Sequence, residues 1–324
     1  MTCFRTRQTL LVLASLLLPC SHASAQAIST TGIERETGRD AYWRIVYDND
    51  FFTATDRYFT QGIVVENVRK SLGNFPVARL LLAPRGSVRR VGLAYEDDGY
   101  TSSDLKRSDI LRGDHPYAGT KQLRLFAIAV DTLRRRRVAS SLNIGIIGQG
   151  AGGAQIQTFI HRQTRNTIPQ GWGSQIRNDV IVNYEASVER ALTKPMEHVL
   201  ITGSGVARLG TLNTAGTAAM TVMVGRVGTP FSIIPPRQRL FYAYAKPQLN
   251  LVGYDATLQG GLFNRSSPYT IATKDLSRAV YRHQVGLVFR SGSRFVEYYQ
   301  SLGSAEFRNG RAHRSGGILF GFGH

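Results

Sequence analysis

Three groups of polar side chains in this sequence could carry out hydrolytic chemistry together. The first is the segment from Tyr47 to Gly62, where Asn49, Asp50 and Thr60 supply oxygen donors. Carboxylate, amide and hydroxyl oxygens are the hard ligands that suit Ca²⁺. Their spacing does not match an EF-hand loop, and Asp, Asn and Thr also gather at ordinary hairpin turns. The segment therefore predicts either a calcium site or simple turn chemistry.

The second group is a basic pair, Lys106 and Arg107, in a polar segment that continues to Gly119. An Arg side chain can donate two parallel hydrogen bonds to phosphate oxygens, and a Lys side chain adds a point charge. The pair is either a phosphate-binding site or part of a solvated loop.

The third group contains a histidine on a predicted helix over residues 154–163. Gln157 and His161 are four residues apart, which places them one turn apart on the same helix face. A neutral imidazole can accept a proton near neutral pH, so His161 is a candidate general base. A histidine that only forms local hydrogen bonds is the simpler alternative.

The elements that must position these groups are strands with alternating apolar and polar residues. Val180 and Val182 alternate with Ile181 and Asn183, and the alternation continues through Glu189. Segments of about ten residues with this pattern are typical of transmembrane β-barrels. The sequence contains twelve of them, and an even number is expected for a single-chain bacterial barrel. They cover residues 41–50, 57–69, 88–97, 119–132, 135–148, 177–192, 196–209, 214–227, 238–254, 278–291, 293–303 and 311–323.

The connections between these segments sort into two kinds. Residues 134–136, 193–195 and 291–293 form short joints, whereas residues 98–118, 149–176 and 255–277 form long loops. Short turns at one end and long loops at the other are typical of outer-membrane barrels, and a soluble β-sandwich has no such requirement. We therefore predict an all-β fold, a twelve-stranded antiparallel transmembrane β-barrel with a short helix in an extracellular loop.

This topology brings residues 51–56, 98–118 and 149–176 to the same outer rim. Thr60 shares a strand face with Gly62 and Glu66, so we expect its side chain to point into the barrel. The joint over residues 70–87 is long for the short-turn end. We expect it to hold a short helix with Val77, Leu80 and Leu81 on one face and to act as a plug or flap.

The first residues predict export. Arg5 and Arg7 precede the apolar run Leu10–Leu18, and Ala23-Ser24-Ala25 forms a small-x-small cleavage pattern. These features predict a signal peptide over residues 1–25, because the apolar run is too short to span a bilayer. An outer-membrane β-barrel domain over residues 26–324 is predicted to follow it. We do not expect a lipoprotein at Cys20, because Pro19 stands where a small residue is needed.

Cysteine content and charge narrow the function classes further. Cys3 and Cys20 both lie in the predicted signal peptide, which excludes a disulfide framework or a cysteine nucleophile in the mature chain. Removing Arg5 and Arg7 from the formal net charge of +18 leaves +16. Such a surface attracts anionic partners, and export argues against nucleic acid. We interpret the run Arg134–Arg137 as a solvated periplasmic turn.

Taken in order, the three groups resemble a known family. Asn49-Asp50 with Thr60-x-Gly62, the run from Asp114 to Gly119, and Gln157-x-x-x-His161 with Trp172-x-x-Gln175 are similar to the lipid A 3-O-deacylase (LpxR) family of outer-membrane enzymes. The resemblance covers nearly the whole mature chain. It implies a twelve-stranded barrel that hydrolyses the ester of the 3′-acyloxyacyl chain of lipid A and requires Ca²⁺.

The resemblance also implies roles for individual residues. Asn49, Asp50 and Thr60 would form the calcium and oxyanion side of the site, with Asp50 and Thr60 as metal ligands. His161 would be the general base, and Lys106 and Arg107 would face the lipid A phosphates. Family members can have a glutamate six residues after the histidine, whereas this chain has Thr167.

The implied mechanism is attack of water on an ester carbonyl, with His161 taking the water proton and Ca²⁺ polarising the carbonyl. The substitution at Thr167 leaves three alternatives. Asp179 or Glu185 assists the histidine, the role is dispensable, or activity is altered and the chain binds lipopolysaccharide.

Two other functions remain less well supported. An outer-membrane phospholipase would need a serine beside His161, and the sequence places none there. A porin would need an open lumen, which twelve strands leave narrow.

Overall fold

The structure is a computed structural model that describes residues 29–35, 39–53, 57–194, 198–228, 231–232 and 239–323. Within these residues, twelve antiparallel strands close into a barrel in which sequence neighbours pair and the first strand pairs with the last. The predicted barrel is confirmed. The predicted signal peptide, residues 1–25, lies outside the described residues. The strands are β1 (Tyr42–Asn49), β2 (Tyr58–Val68), β3 (Val88–Thr101), β4 (Ala118–Asp131), β5 (Arg136–Ile147), β6 (Asp179–Ala191), β7 (Val199–Gly210), β8 (Asn213–Arg226), β9 (Leu240–Asp255), β10 (Ala279–Ser291), β11 (Arg294–Gly303) and β12 (His313–Gly323).

Helical segments occur only between strands or before β1 in the described part of the chain. The α-helices are α1 (Gly153–Thr164) and α2 (Ala256–Gln259), and α1 confirms the helix predicted over residues 154–163. No helix among the described residues combines the length and apolar character needed to cross a membrane. The 3-10 helices are Ile33–Arg35, Asp50–Thr53, Lys70–Asn74, Pro76–Leu80, Gln149–Ala151, Gly171–Ser174 and Thr273–Asp275.

The strands expose apolar side chains outward and bury polar ones, as the alternation predicts. In β6, Val180 and Val182 are exposed on the outer surface, whereas Ile181 and Asn183 are buried on the inner one. In β12, Ile318 is likewise exposed. An outward apolar surface over an interior rich in polar groups is the arrangement that a barrel wall in lipid requires.

The two ends of the barrel differ. The connections 132–135 and 292–293 lie at the end where β1 starts and β12 finishes, which we call the turn end. The longer loops 102–117, 148–178 and 256–278 lie at the opposite end, the outer rim. At the turn end, residues 70–87 hold two 3-10 helices. The prediction that one short helix presents a single apolar face is wrong. Leu81 is buried, whereas Val77 and Leu80 are exposed.

Residues 29–35, which follow the predicted signal peptide, lie inside the barrel toward the turn end. Arg35 Nε lies 2.8 Å from Glu297 Oε2 in β11, and both side chains are buried. Lys246 Nζ in β9 lies 2.7 Å from Glu34 Oε1. A buried charge is tolerated in a protein interior when it is paired and hydrogen-bonded, and these contacts meet that condition. The segment therefore acts as a plug that the wall holds by ion pairs.

Strands β1, β2, β4 and β5 complete the network around this plug. The Glu66 carboxylate accepts hydrogen bonds from Arg44 Nε at 2.7 Å and from Arg124 at 2.9 Å, and Thr30 of the plug donates to it as well. Arg137 donates to the Thr31 carbonyl at 2.8 Å. The lumen at the turn end is thus filled by protein, which argues against the porin alternative.

Candidate functional site

The candidate site begins at a β-bulge in β2. The pairing of β2 with β3 shifts between Phe59 and Gln61, which face Tyr100 and Gly99, so Thr60 has no strand partner. A bulge re-aims the side chain of its extra residue. Gly99 is one of the alternate residues of β3 that face the outer surface of the wall. A Cβ on Gly99 would lie 3.4 Å from Thr60 Cγ2. The expectation that Thr60 points into the barrel is therefore wrong, because the bulge interrupts the alternation.

Thr60 is instead joined to helix α1 through two buried hydrogen bonds. Gln157 Nε2 donates to Thr60 Oγ1 at 2.8 Å, and Trp172 Nε1 donates to Gln157 Oε1 at 2.8 Å. The indole nitrogen can only donate, so the orientation of the Gln157 amide is fixed. All three side chains are buried. This chain of contacts links the wall of β2, helix α1 and the 3-10 helix Gly171–Ser174.

Helix α1 packs against the outer surface of the barrel wall because two glycines meet there. A Cβ on Gly119 in β4 would lie 3.3 Å from Gly153 N and 3.4 Å from Gly153 Cα. A Cβ on Gly153 would lie 2.7 Å from the Trp172 ring. Side chains at either position would push the helix away from the wall. The predicted proximity of loops 102–117 and 148–178 at one rim is also observed, because Gln170 N donates to the Leu105 carbonyl at 2.9 Å.

His161 lies one turn after Gln157 on α1 and is 6% exposed. Its Nδ1 is 2.5 Å from the Thr167 carbonyl oxygen. A carbonyl oxygen can only accept, so Nδ1 carries a hydrogen, and in the neutral ring Nε2 therefore has the free lone pair. The chain returns to this position because Asn166 N donates to the His161 carbonyl at 2.9 Å at the end of the helix. The ring thus has the tautomer that a general base requires.

Neither acid that could have replaced the missing glutamate lies at His161. Asp179 Oδ2 accepts hydrogen bonds from Phe263 N at 2.8 Å and Asn264 N at 3.0 Å. Glu185 Oε2 lies 2.6 Å from Arg208 Nε on the inner surface of the wall. Both carboxylates are engaged elsewhere, and the backbone carbonyl of Thr167 occupies the position on Nδ1 that an acid would take.

Asn49 and Asp50 lie at the end of β1, where the strand meets its hairpin. Asn49 Nδ2 donates to Tyr47 Oη at 3.0 Å, and Asn49 Oδ1 accepts from Phe51 N at 2.7 Å. The buried Asp50 carboxylate accepts from Arg57 N at 2.5 Å. These contacts hold Asp50 within its own hairpin, whereas Thr60 is held by α1.

The oxygens of Asp50 and Thr60 are chemically suited to a hard cation. Ca²⁺ takes six to eight oxygen ligands, often from carboxylates, carbonyls, hydroxyls and water. Within the part of the chain that the structure describes, no three His, Cys, Asp or Glu residues form a metal-binding group. Asp50 and Thr60 would contribute one carboxylate and one hydroxyl, so backbone carbonyls, water or substrate oxygens would have to complete the shell. Such a set fits Ca²⁺ and does not fit a transition metal that prefers nitrogen or sulfur.

Lys106 and Arg107 lie on the exposed side of loop 102–117. Leu105, beside them, packs with Tyr117 and Trp172, which anchors this part of the loop near α1. Arg107 Nε donates to Asp109 Oδ1 at 3.0 Å, and Lys106 is exposed to solvent. A phosphate that engaged Arg107 would compete with Asp109 for the guanidinium.

The run from Asp114 to Gly119, to which the sequence assigned no structural role, locks the loops together. His115 is fully buried against the rings of Tyr58 and Tyr100, with centroid distances of 5.8 and 5.4 Å. Burial lowers the pKa of the His115 imidazole to about 4. The Asp114 carboxylate accepts from Ser103 N at 2.8 Å and Ser103 Oγ at 2.6 Å. The Asp114-x-Pro116 motif therefore holds loop 102–117 in place.

The sequence also did not identify Tyr58 or the pair Asp97–Lys121 as residues near the site. Tyr58, two residues before the bulge, has φ of 68°, a left-handed conformation that is rare for an aromatic residue. Backbone strain of this kind is concentrated near functional sites. Lys121 Nζ lies 3.5 Å from Asp97 Oδ2 on the same outer surface as Gly119. Only the pairing across strands brings Asp97 and Lys121 together, beside Gly152 at the start of α1.

The comparisons with known proteins agree with this architecture. A family model described as "Outer membrane protein LpxR" matches residues 10–323. The solved structure of LpxR from Salmonella typhimurium is similar with a TM-score of 0.72 and 17% identity, covering 87% of this chain and 100% of that one. The beta domain of the Bordetella autotransporter BrkA has a TM-score of 0.46 and 10% identity, covering 88% and 99%. A search of curated proteins finds no match. Because the family model spans nearly the whole sequence, this chain belongs to the LpxR family of outer-membrane proteins.

Proposed function

We propose that this protein is a calcium-dependent hydrolase that removes the 3′-acyloxyacyl chain from lipid A in the outer membrane. The observation that carries the proposal is the environment of His161, a buried histidine whose Nδ1–H is held by the Thr167 carbonyl. The ring shares a helix face with Gln157, which bonds to Thr60 on the barrel wall. Family membership supports lipid A as the class of substrate.

In this proposal His161 Nε2 accepts a proton from water as the water attacks the ester carbonyl. The imidazolium then returns the proton to the alkoxide oxygen of the sugar as the ester C–O bond breaks and the acyl chain leaves as a carboxylic acid. Proton transfer to a positioned base typically accelerates such a step about 10²- to 10⁴-fold. The imidazolium that forms is stabilised by the Thr167 carbonyl through Nδ1–H. A backbone oxygen carries a partial charge only, so it fixes the tautomer but stabilises the cation less than a carboxylate would.

The other proposed site residues bind and orient the substrate. Asp50 and Thr60 would hold Ca²⁺, which when bound supplies Lewis-acid stabilisation of the developing oxyanion. Asn49 would contribute its amide on the same side. Lys106 and Arg107 would bind the lipid A phosphates, Arg107 by exchanging its contact with Asp109 for phosphate oxygens.

The location of α1 supports access from the membrane. The helix packs on the outer surface of the wall at the outer rim, so a site between helix and wall faces the surroundings of the barrel. Lipid A resides in the outer leaflet, at the height of this rim. An ester linkage could therefore enter the site laterally while the acyl chains remain in the bilayer.

The test uses purified protein with lipid A in mixed micelles, with Ca²⁺ or with EDTA, and mass spectrometry of the lipid. We expect loss of one acyloxyacyl unit with Ca²⁺, no loss with EDTA, and a rate at least about 10²-fold lower for His161→Gln. His198→Gln, an exposed histidine at the turn end, is the matched control and should retain full activity.

Two outcomes would contradict the proposal. If His161→Gln were as active as the wild type, His161 would not be the general base. A folded wild-type protein that binds lipid A without changing its mass, with Ca²⁺ present, would favour a lipopolysaccharide-binding member of the family. The absence of a carboxylate at Thr167 makes that second function the main alternative.

A further inference from the structure

A basic groove lies at the turn end, at the opposite end of the barrel from the candidate site. It is formed by the connection between β4 and β5, the end of β6 and the start of the connection that follows β6, with a volume of about 700 Å³. Five of its nine lining residues are basic: Arg134, Arg135, Arg136, Arg190 and Lys194. The sequence predicted a solvated turn for this arginine run, but the fold adds Arg190 and Lys194 from a separate segment.

Two of these arginines lie side by side on the outer surface of the wall. Arg136 and Arg190 are cross-strand partners in β5 and β6. The next pair, Arg137 and Glu189, is buried on the inner surface, which places the Arg136–Arg190 pair outward. The guanidinium groups therefore face the surroundings of the barrel and not its lumen.

The same outer surface becomes apolar one pair further toward the outer rim. Val138 and Val188 are the outward partners there, and Val188 is 46% exposed. The two arginines thus stand where the apolar, lipid-facing wall ends. This is the level at which the headgroups of the leaflet at the turn end would lie.

Among the described residues, the charges in the groove are only partly compensated. The Asp131 carboxylate lies 3.2 Å from Arg134 and 3.4 Å from Arg136. Over the described ranges, no carboxylate lies within ion-pair distance of Arg190 or Lys194. Like charges directly opposite each other across two strands are destabilising. An anion between Arg136 and Arg190 would remove that repulsion.

Apolar side chains border the groove on both connections. Leu133 is 94% exposed and Leu192 is 60% exposed. Basic side chains interleaved with exposed leucines are typical of surfaces that lie in a membrane interface, where the cations meet phosphates and the leucines meet acyl chains. A free phosphate ion would satisfy the arginines and leave the leucines in water.

We propose that this groove binds the headgroup phosphate of an anionic phospholipid in the leaflet at the turn end. Arg136 and Arg190 donate to the phosphate oxygens in forked geometry, Lys194 adds a third cation, and the acyl chains lie along Val138 and Val188. The occupant is a phospholipid because the groove opens at the border of the lipid-facing wall.

The experiment is native mass spectrometry of the folded protein in detergent, titrated with phosphatidylglycerol or with phosphatidylcholine. We expect saturable binding of one phosphatidylglycerol and much weaker binding of phosphatidylcholine. At roughly 1 kcal/mol for each basic residue near an anionic surface, Arg136→Gln/Arg190→Gln should weaken phosphatidylglycerol binding roughly 30-fold. Arg190→Gln alone, which breaks no ion pair among the described residues, covers the case in which the double variant does not fold.

The matched control is Arg265→Gln/Arg308→Gln, which removes the same charge from exposed loops at the outer rim. It should bind phosphatidylglycerol like the wild type. Equal affinity for the two lipids, or unchanged affinity in Arg190→Gln and the double variant, would overturn the proposal. Inorganic phosphate that displaces the lipid at equal concentration would show a simple anion site and would also overturn the lipid assignment.

Discussion

The hydrogen bond from Trp172 to Gln157 should determine how firmly helix α1 is held against the barrel wall. Trp172→Phe removes the indole donor and leaves the buried Gln157 Oε1 without it. Leaving a buried acceptor unsatisfied costs about 1–3 kcal/mol, which corresponds to a roughly 5- to 150-fold change in an equilibrium constant. The smaller ring also leaves space beside Gly153, so part of the loss comes from packing.

A double-mutant cycle separates these two contributions. Trp172→Phe and the double variant Trp172→Phe/Gln157→Leu share the loss of packing, so this loss cancels in the cycle. The coupling energy then isolates the hydrogen bond at about 1 kcal/mol. The assay is hydrogen exchange of the α1 backbone amides, which reports the free energy of local opening and does not depend on catalysis. Phe159→Leu, on the exposed side of the same helix, is the control and should leave the opening free energy unchanged.

Catalysis provides a second readout of the same perturbation. A helix that opens more often presents His161 in the correct position less often, so kcat/KM should fall with the opening free energy. Unchanged exchange in α1, or a coupling energy near zero, would refute the role assigned to this hydrogen bond.

Three further predictions concern the plug, the loops and Thr167. Glu297→Ala leaves the Arg35 guanidinium buried without its carboxylate, a change that costs about 3–5 kcal/mol. Planar-bilayer recordings should show conductance steps for this variant and none for the wild type. A variant without conductance steps would show that this pair does not retain the plug. Burial lowers the pKa of His115 to about 4, below its value near 6.5 in the unfolded chain. The contribution of the neutral His115 to folding stability is therefore fully present above pH 6.5 and is lost as pH falls toward 4. The loss amounts to about 3 kcal/mol, and hydrogen exchange in loop 102–117 should accelerate over this range; constant protection down to pH 4 is the opposing result. Thr167→Glu should change kcat by less than about tenfold, because the backbone carbonyl already fixes the His161 tautomer, whereas a larger gain would show that a carboxylate was missing.

Much of the barrel could be predicted from sequence because its wall has a strict physical requirement. Each strand must expose apolar side chains on one surface, so apolar residues recur at every second position. This alternation predicted the number and order of the strands. The prediction ended β3 at residue 97, whereas the strand continues to Thr101. Residues Asp98 to Thr101 are buried at the rim, where loops cover the wall, so the alternation that marks a lipid-facing strand is lost.

The candidate site was less predictable because its contacts depend on pairing between distant segments. The bulge at Thr60 exists only relative to β3, and nothing within β2 marks it. Likewise, the plug has no periodic pattern, and its ion pairs join Glu34 and Arg35 to strands more than two hundred residues away. The helix over 154–163 was found because Gln157 and His161 carry a local spacing signal. The oxygen that orients His161 belongs to the backbone, and residue types do not predict which carbonyl lies there.

The most direct test of the central claim is the mass of lipid A in cells that express this protein. Lipid A from cells with the wild-type chain should lose one acyloxyacyl unit when Ca²⁺ is present. Lipid A from cells with His161→Gln, folded and present at the same level in the outer membrane, should keep its full mass. Full-mass lipid A from cells with folded wild-type protein would contradict the account.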